Sequence, residues 1–579
     1  MGLLMLQRVK RCFLLAASCS GLGCDLSDLT DGRAGGGGAG ASGGSGAGAS
    51  GPGPGGAATG GSGGSGAEGG IGGEGGAPCE VVSPFTWLAE LGNANQQAVN
   101  GDDLLGAPPS SIRVASVTDA LGGGFVLAIV TEGPSPFDGE GDGRALFLAR
   151  FGSDGSLLAV RPHPQPPSSG QPFLISDVLV DDAGTVYVSG LVGRADVELQ
   201  TDTTPILLPN TAPNEDLAGD TGVAAVVATF ALDGRALSGA RLESKTNNGS
   251  LTAPAIFRRG AEVGLAGVSR NGFTGLTCAT LSATGNLTFG YVLMLTDSTL
   301  ASCSRASRFE ATLGTALDLT AATTDGDSIY VVGRYSAANA GNAITFRSTP
   351  APAWLVELES NQGLLLSYDG ATLAPRWVTT LAGVGIDDRV LGVGFDPAST
   401  TLWAAGTGSR GSVSAATSSI SRRFSASSGM VGACDLEHPG SGTRAGLVAL
   451  DTDGGCVATA GYSLGSEARA VVDGTPWVAG FAARDSRPSL TTFATAGPAP
   501  AVPYGMLFSP TATAADVTES GVLFGAQIAV RVEDLALVDG KVVVVGTMGE
   551  RFLDLTCETS ALPGGFDFFV GAIDPAAIP

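Results

Sequence analysis

The 579-residue sequence predicts an all-β fold, a closed ring of seven four-stranded antiparallel blades. Three observations predict it: one turn-strand-glycine motif recurs through the chain, further strands follow it in a fixed order, and the two chain ends together supply one blade. The motif reads "DDAGTVYVSG" ending at Gly190, "RRGAEVGLAG" at Gly267, "TDGDSIYVVG" at Gly333, "PASTTLWAAG" at Gly406, "VVDGTPWVAG" at Gly480 and "LVDGKVVVVG" at Gly546. A weaker first copy, "LGGGFVLAIV", ends at Val130. The glycines are 77, 66, 73, 74 and 66 residues apart, a period that marks a repeat architecture blurred by loop insertions.

Each element of the unit has its own justification. Upstream of the motif lies a strand such as "ISDVLV" (175–180), joined to it by the tight Gly/Asp turn that favours hairpins. Downstream, after a variable loop, comes a third strand ending in a turn, as in "LFLARFGSDG", "VVATFALDG", "YVLMLTDST", "LLLSYDG" and "LVALDTDGG". A fourth strand closes the unit, best seen in "FEATLG" (309–314) and "WVTTLAG" (377–383). Four antiparallel strands repeated seven times is the pattern of a β-propeller. A parallel β-helix would need a far shorter period. The last copy stops after its third strand at "FFVGAIDPAAIP", while "FTWLAELG" (85–92) matches a fourth strand with no first three before it. Joined, they complete the last blade and remove the sheet edges that invite aggregation. The propeller is expected over residues 79–579, as a monomer.

The N-terminal residues read as processing and tether rather than fold. Arg8, Lys10 and Arg11 precede "CFLLAASCSGLG" (12–23), an apolar stretch of signal-peptide length and too short to span a bilayer. Residues 1–23 are therefore expected to be a signal peptide. Ser20, Gly21, Leu22 and Gly23 before Cys24 resemble the lipobox of bacterial lipoproteins, with Gly21 where that family most often has Leu. The resemblance implies that Cys24 is lipidated and becomes the first residue of an exported, membrane-anchored protein. "LAASC", ending at Cys19, is a rival site, and cleavage to a freely secreted protein is the plainer alternative. Residues 24–78 continue as a tether. Positions 35–77 are almost wholly Gly, Ala, Ser and Pro, with Glu68 and Glu74 the only charges, and cannot nucleate a core. A flexible coil of that length spans roughly 35 to 40 Å.

Charge excludes one class of partner. The formal charge is −24, and loss of residues 1–23 takes it to −27, leaving Lys245 and Lys541 as the lysines. Binding to phosphate backbones needs clustered Lys and Arg, so nucleic acid is not an expected partner. With only His163 and His438 in the chain, no Ser-His-Asp, Cys-His or histidine-rich metal constellation can be assembled. The glycine block matches G-x-G-x-x-G without the strand and helix that give that motif meaning.

What remains as candidate chemistry is acidic, aromatic or sulfur. "DGEGDGR" places Asp138, Glu140 and Asp142 in alternation, like the first half of a calcium loop, yet Ala149 stands where a bidentate Glu belongs. A solvated turn is therefore the expected reading and no cofactor is expected, with Ca2+ as the alternative. Asp177, Asp318, Asp388 and Asp534 each stand near the start of a first strand, the strand that lines a propeller's channel. They are candidates for a polar-ligand or cation site, against the alternative of side chains bonding neighbouring turns. Trp403 and Trp477 (second strands) and Trp87 and Trp377 (fourth strands) suit packing between blades, whereas Trp354, in the insertion "STPAPAWLVELES", is expected in a loop as a contact residue. Position in the repeat pairs Cys278 with Cys303, Cys434 with Cys456, and Cys79 with Cys557 across the ring closure; an exported compartment permits such bonds. Free buried cysteines are the alternative.

The repeats resemble the bacterial seven-bladed propeller repeat of exported proteins, whose units run strand, D-x-x-G turn, "VYVTG"-like strand, "FVAKLD"-like strand and a final "W…G". "VDDAGTVYVSG" (180–190) is the best match. The fold hosts binders and enzymes alike, so the resemblance implies architecture and leaves function open. The expectation is a non-enzymatic surface protein whose propeller binds a protein or polysaccharide. The alternative is an extracytoplasmic hydrolase or lyase using channel carboxylates.

Overall fold

The computed structural model describes residues 84–91, 112–132, 135–137, 144–165, 173–193, 196–210, 224–244, 251–270, 273–278, 288–311, 315–337, 343–346, 354–357, 362–382, 389–419, 435–464, 467–482, 491–494, 504–512, 517–525, 530–548 and 567–578. All belong to the unit Ala77–Pro579. They form a seven-bladed β-propeller, each blade an antiparallel sheet with its first strand innermost.

Blade 1 comprises Ile112–Ser116, Phe125–Glu132, Arg144–Phe151 and Leu157–Gln165. Blade 2 comprises Leu174–Val180, Val186–Val192, Ala224–Phe230 and Ala236–Ser244. Blade 3 follows with Ala255–Arg259, Glu262–Arg270, Thr288–Leu295 and Cys303–Ala311, and blade 4 with Thr315–Thr324, Ser328–Ala337, Gln362–Asp369 and Pro375–Ala382. Blade 5 is Arg389–Asp396, Thr401–Ser419, Asp435–Leu450 and Cys456–Leu464. Blade 6 is Glu467–Val471, Val478–Ala482, Tyr504–Ala512 and Val517–Gly525. Blade 7 takes Val530–Val538, Lys541–Met548 and Asp567–Ile573 from the C-terminus and Phe85–Leu91 from the N-terminus. The last pairing runs Trp87↔Ala572 to Leu91↔Phe568, the expected closure.

The core lies between blades. Seven apolar clusters each join one blade to the next, including the seam where Ile112, Phe125 and Leu127 of blade 1 meet Val543, Phe568 and Val570 of blade 7. Burial of apolar area between sheets drives this packing. The tryptophans fit it. Trp403 and Trp377 are buried, and Trp377 Nε1 donates to Thr452 O of blade 5 at 2.9 Å. Trp87 stacks on Phe125 across the seam, ring centroids 5.9 Å apart.

The recurring glycine has a physical cause. In blades 2, 4, 5, 6 and 7 the first strand carries a β-bulge opposite the second strand. There a Cβ on Gly190, Gly333, Gly406, Gly480 or Gly546 would collide with the carbonyl oxygen of Leu174, Asp318, Arg389, Glu467 or Arg531. Blades 1 and 3 pair without that bulge. Correspondingly, blade 1 has Val130, and Gly267 of blade 3 faces the Tyr291 ring instead of backbone.

Candidate functional site: the central cavity

The first strands enclose a cavity of about 570 Å3. Its wall contains Arg113, Asp177, Arg258, Arg469, Glu533 and Asp534, one or more from five of the seven blades, with backbone and uncharged side chains of the other two. In blades 2, 4, 6 and 7 the polar residues Asp177, Thr320, Arg469, Glu533 and Asp534 stand at the bulges. At each bulge the strand gains a residue that opposes none on its partner, and the chain twists so that flanking side chains turn toward the next blade.

Asp177 and Asp534 hold equivalent positions, each two residues beyond the residue that pairs with the motif glycine. Their bonds are equivalent too. Asp177 accepts from its own neighbour Val178 N–H at 2.8 Å and from Ile256 N–H of blade 3 at 2.7 Å. Asp534 accepts from Leu535 N–H at 2.9 Å and from Val114 N–H of blade 1 at 3.0 Å. Each carboxylate therefore ties its blade to the following one. Between them sits Arg113, whose Nε donates to Ser176 O at 2.7 Å and Nη1 to Glu533 O at 2.9 Å, grasping both adjacent bulges. Arg469 ion-pairs with Glu467 of its own strand and with Glu533 of blade 7. Thr320, at the bulge of blade 4, donates to Val390 O of blade 5 at 2.6 Å. Toward the other end, Asp473 accepts from Thr323 Oγ1 at 2.5 Å and Phe395 N–H at 2.9 Å, joining blades 4, 5 and 6.

Burial in the wall pushes the Asp177 carboxyl up to about 7, with the Asp534 charge adding to it, against the two amides and Arg113. Burial also raises Asp534, opposed first by Arg113. A carboxyl near neutrality can exchange a proton at physiological pH. Both oxygens of each carboxylate are nevertheless occupied by backbone N–H groups.

Of the predicted aspartates that are described, Asp177 and Asp534 reach the cavity wall and Asp318 does not. Asp318 lies one residue before the residue paired with Gly333, is 3% exposed, faces Arg334 Nε at 4.0 Å and is not among the cavity wall residues. Burial raises it to about 6, against Arg334 and Arg389. Asp388 lies outside the described residues, as do Asp138, Glu140, Asp142, Cys24, Cys79, Cys434 and Cys557. The sequence reading missed Arg113, Arg469, Glu533, Thr320 and Asp473. Spacing held a signal for the mismatch: Asp177 and Asp534 precede their motif glycines by 13 and 12 residues, Asp318 and Asp388 by 15 and 18.

Trp354 also differs from expectation. It does not lie in an irregular loop; it begins strand Trp354–Glu357, which pairs with Ala343–Phe346. The Cys278–Cys303 disulfide forms as predicted, Cα atoms 5.3 Å apart, linking the connection before the third strand of blade 3 to the start of its fourth. Cys456 is disulfide-bonded as well, to a partner outside the described residues. Such bonds persist in oxidising, extracytoplasmic compartments. Among the described residues no helix is long and apolar enough to cross a membrane.

No family model matches the chain, and no curated protein matches it. Among solved structures, the chain is similar to a crystal structure of a protein of unknown function from Dyadobacter fermentans. The two align at 9% identity over 84% of this chain and 99% of that one, with a TM-score of 0.30.

Proposed function

We propose that this chain is an exported lipoprotein, lipidated at Cys24 and tethered through its Gly/Ala/Ser-rich segment, whose propeller binds a protein or polysaccharide partner without transforming it. The observation that supports the binding reading is the bonding of the cavity wall. Asp177, Asp534, Arg113 and Arg469 each hold a neighbouring blade, so the charged groups a catalyst would use act as struts. Binding then falls to the outer surfaces and connections, where propellers vary most.

One observation favours a second reading, a carboxylate-dependent glycoside hydrolase or lyase. Asp177 titrates near neutrality within a wall that also holds Asp534, and glycoside chemistry can run on two carboxylates. A panel of neutral and acidic polysaccharides, assayed for retention by the full chain and for new reducing ends or unsaturated products, separates the two. Retention without product is expected. Product formation abolished by Asp177→Asn or Asp534→Asn, in variants that keep the wild-type melting temperature, would overturn the non-enzymatic reading.

A further inference from the structure

Among the described residues six large apolar side chains are exposed, and five of them, Leu157, Leu158, Val160, Leu207 and Leu237, stand on the rim of blades 1 and 2, from 36% to 59% exposed. The sixth, Val457, is on blade 5. Two of the five owe their exposure to the strand itself. Leu158 lies between the pairs Phe151↔Leu157 and Arg150↔Ala159 and opposes no residue, and Leu237 is the same bulge residue of blade 2. A bulge re-aims its side chain. The equivalent residues of blades 3, 4 and 7 are Ser304, Arg376 and Thr86, so this position accepts polar groups and does not need leucine for packing.

The five make one surface. Arg161, next to Val160, lies against Gly234 of the turn that leads to Leu237, and Asp202, in the hairpin that carries Leu207, pairs with both Arg161 and Arg235. Described turns bound this end of the rim: 152–156 and 231–235 join third to fourth strands, and 200–205 joins Val197–Leu199 to Ile206–Leu208. Short covering strands lie elsewhere, as Phe273–Thr274 at the far end of the outer strand of blade 2 and Thr491–Ala494 beside that of blade 6. The hairpin meets the outer strand of blade 1 at its far half, where Gln200 N–H donates to His163 Nδ1 at 2.9 Å.

The N-terminal strand starts beside this surface. Trp87 packs on Gly155, two residues before Leu157, and stacks on Phe125, which stacks on Phe151, the partner of Leu157. The chain from Cys24 therefore joins the propeller next to the apolar rim. A flexible coil of the length of residues 25–84 spans roughly 40 Å, which keeps the rim within reach of a membrane that holds Cys24.

Resting on the anchored reading above, we propose that this rim sits on the bilayer, its leucines entering the boundary between headgroups and acyl chains of a lipid surface of low net charge. The side chains select the occupant. Aliphatic groups standing out on bulges and a hairpin suit interfacial insertion, whereas protein hot spots favour aromatic and arginine anchors in pockets. Charge selects the lipid: exposed Asp154, Asp202 and Asp233 outnumber Arg161 and Arg235 on the same turns, so an anionic surface is repelled. The tether supplies proximity, equivalent to a lipid concentration of about millimolar. Without it the contact is weak, and the Cys24→Ala chain is still released from membranes.

The test uses the full chain with Cys24→Ala and Leu158→Trp, titrated with phosphatidylcholine vesicles whose acyl chains are brominated, and read against the chain without the added tryptophan. The added emission should be quenched at about millimolar lipid. Leu157→Ser with Leu237→Ser, at an unchanged melting temperature, should raise the lipid required by about tenfold or more, and phosphatidylglycerol in the vesicles should raise it further. Absence of quenching overturns the proposal, as does quenching that the serine changes leave alone. Quenching strengthened by phosphatidylglycerol would mean recognition of charge and overturns it too. A dimer in lipid-free buffer that the serine changes dissociate would make the occupant a second copy. Intact mass of the wild type decides lipidation separately: an acylated wild type with no quenching sinks the rim and leaves the anchor, and an unmodified wild type with quenching does the reverse.

Discussion

At the scale of single residues, the bulged first strand explains most of what is invariant in the repeat. Gly333 can bear no side chain because the Asp318 carbonyl occupies the space of its Cβ. Backbone cannot yield as a flexible side chain does. Gly333→Ala is therefore expected to destabilise by about 1 to 3 kcal/mol, the usual cost of overpacking, measured by urea denaturation. Unchanged stability would show that the bulge is not rigid. His163 gives a second residue-scale expectation. Its Nδ1 accepts from Gln200 N–H and its Nε2 faces Gly234 O at 3.0 Å, so the ring is neutral, a donor at Nε2 and an acceptor at Nδ1. Burial lowers its pKa to about 4. A histidine depressed in the folded state contributes stability that is complete above the unfolded value near 6.5 and is lost as pH falls toward 4, roughly 2 kcal/mol of it by pH 5. Arg161 and Arg235 both pair with Asp202 of the same hairpin. Melting from pH 7.5 to 5 should fall more steeply in the wild type than in His163→Gln. Parallel slopes would place the acid sensitivity elsewhere.

At the scale of elements, strand order was readable because the hairpin turns and alternating apolar residues are local signals. "FTWLAELG" was legible as a displaced fourth strand for the same reason, and Phe85–Leu91 lies where that requires. The covering strands were not legible. Phe273–Thr274 and Thr491–Ala494 are too short to show a period, and their pairing depends on a neighbour far away in sequence. Trp354 was misplaced on that account, its strand being recognisable only against Ala343–Phe346. Asp177, Asp318 and Asp534 do stand in first strands, but a bulge shifts the register that decides which side chain reaches the cavity. The closing strand also carries a measurable expectation. Trp87 spans the seam to Phe125 and lies against Gly155, so Trp87→Ala should cost about 3 kcal/mol and shorten resistance to proteolysis at the N-terminal strand first. Equal proteolysis of wild type and variant would contradict a closure held by this contact.

At the scale of the whole molecule, the ring explains why fold was far more legible than function. Seven similar interfaces distribute stability around the propeller, and a motif needed for packing is repeated seven times whereas a binding surface need occur only once. The polar residues of the cavity follow the same logic, since their bonds join blade to blade. Function then depends on where the ring is displayed and what its surfaces meet. The disulfides place it in an oxidising compartment, and Cys24 would fix it to a membrane surface. The measurement that tests this most directly is intact mass and membrane partitioning of the natively expressed chain beside Cys24→Ala. The account predicts a mature protein that begins at Cys24, carries added acyl mass and sediments with membranes, with the variant released. A wild-type protein that is soluble and unmodified would contradict the anchored reading and leave a freely secreted propeller.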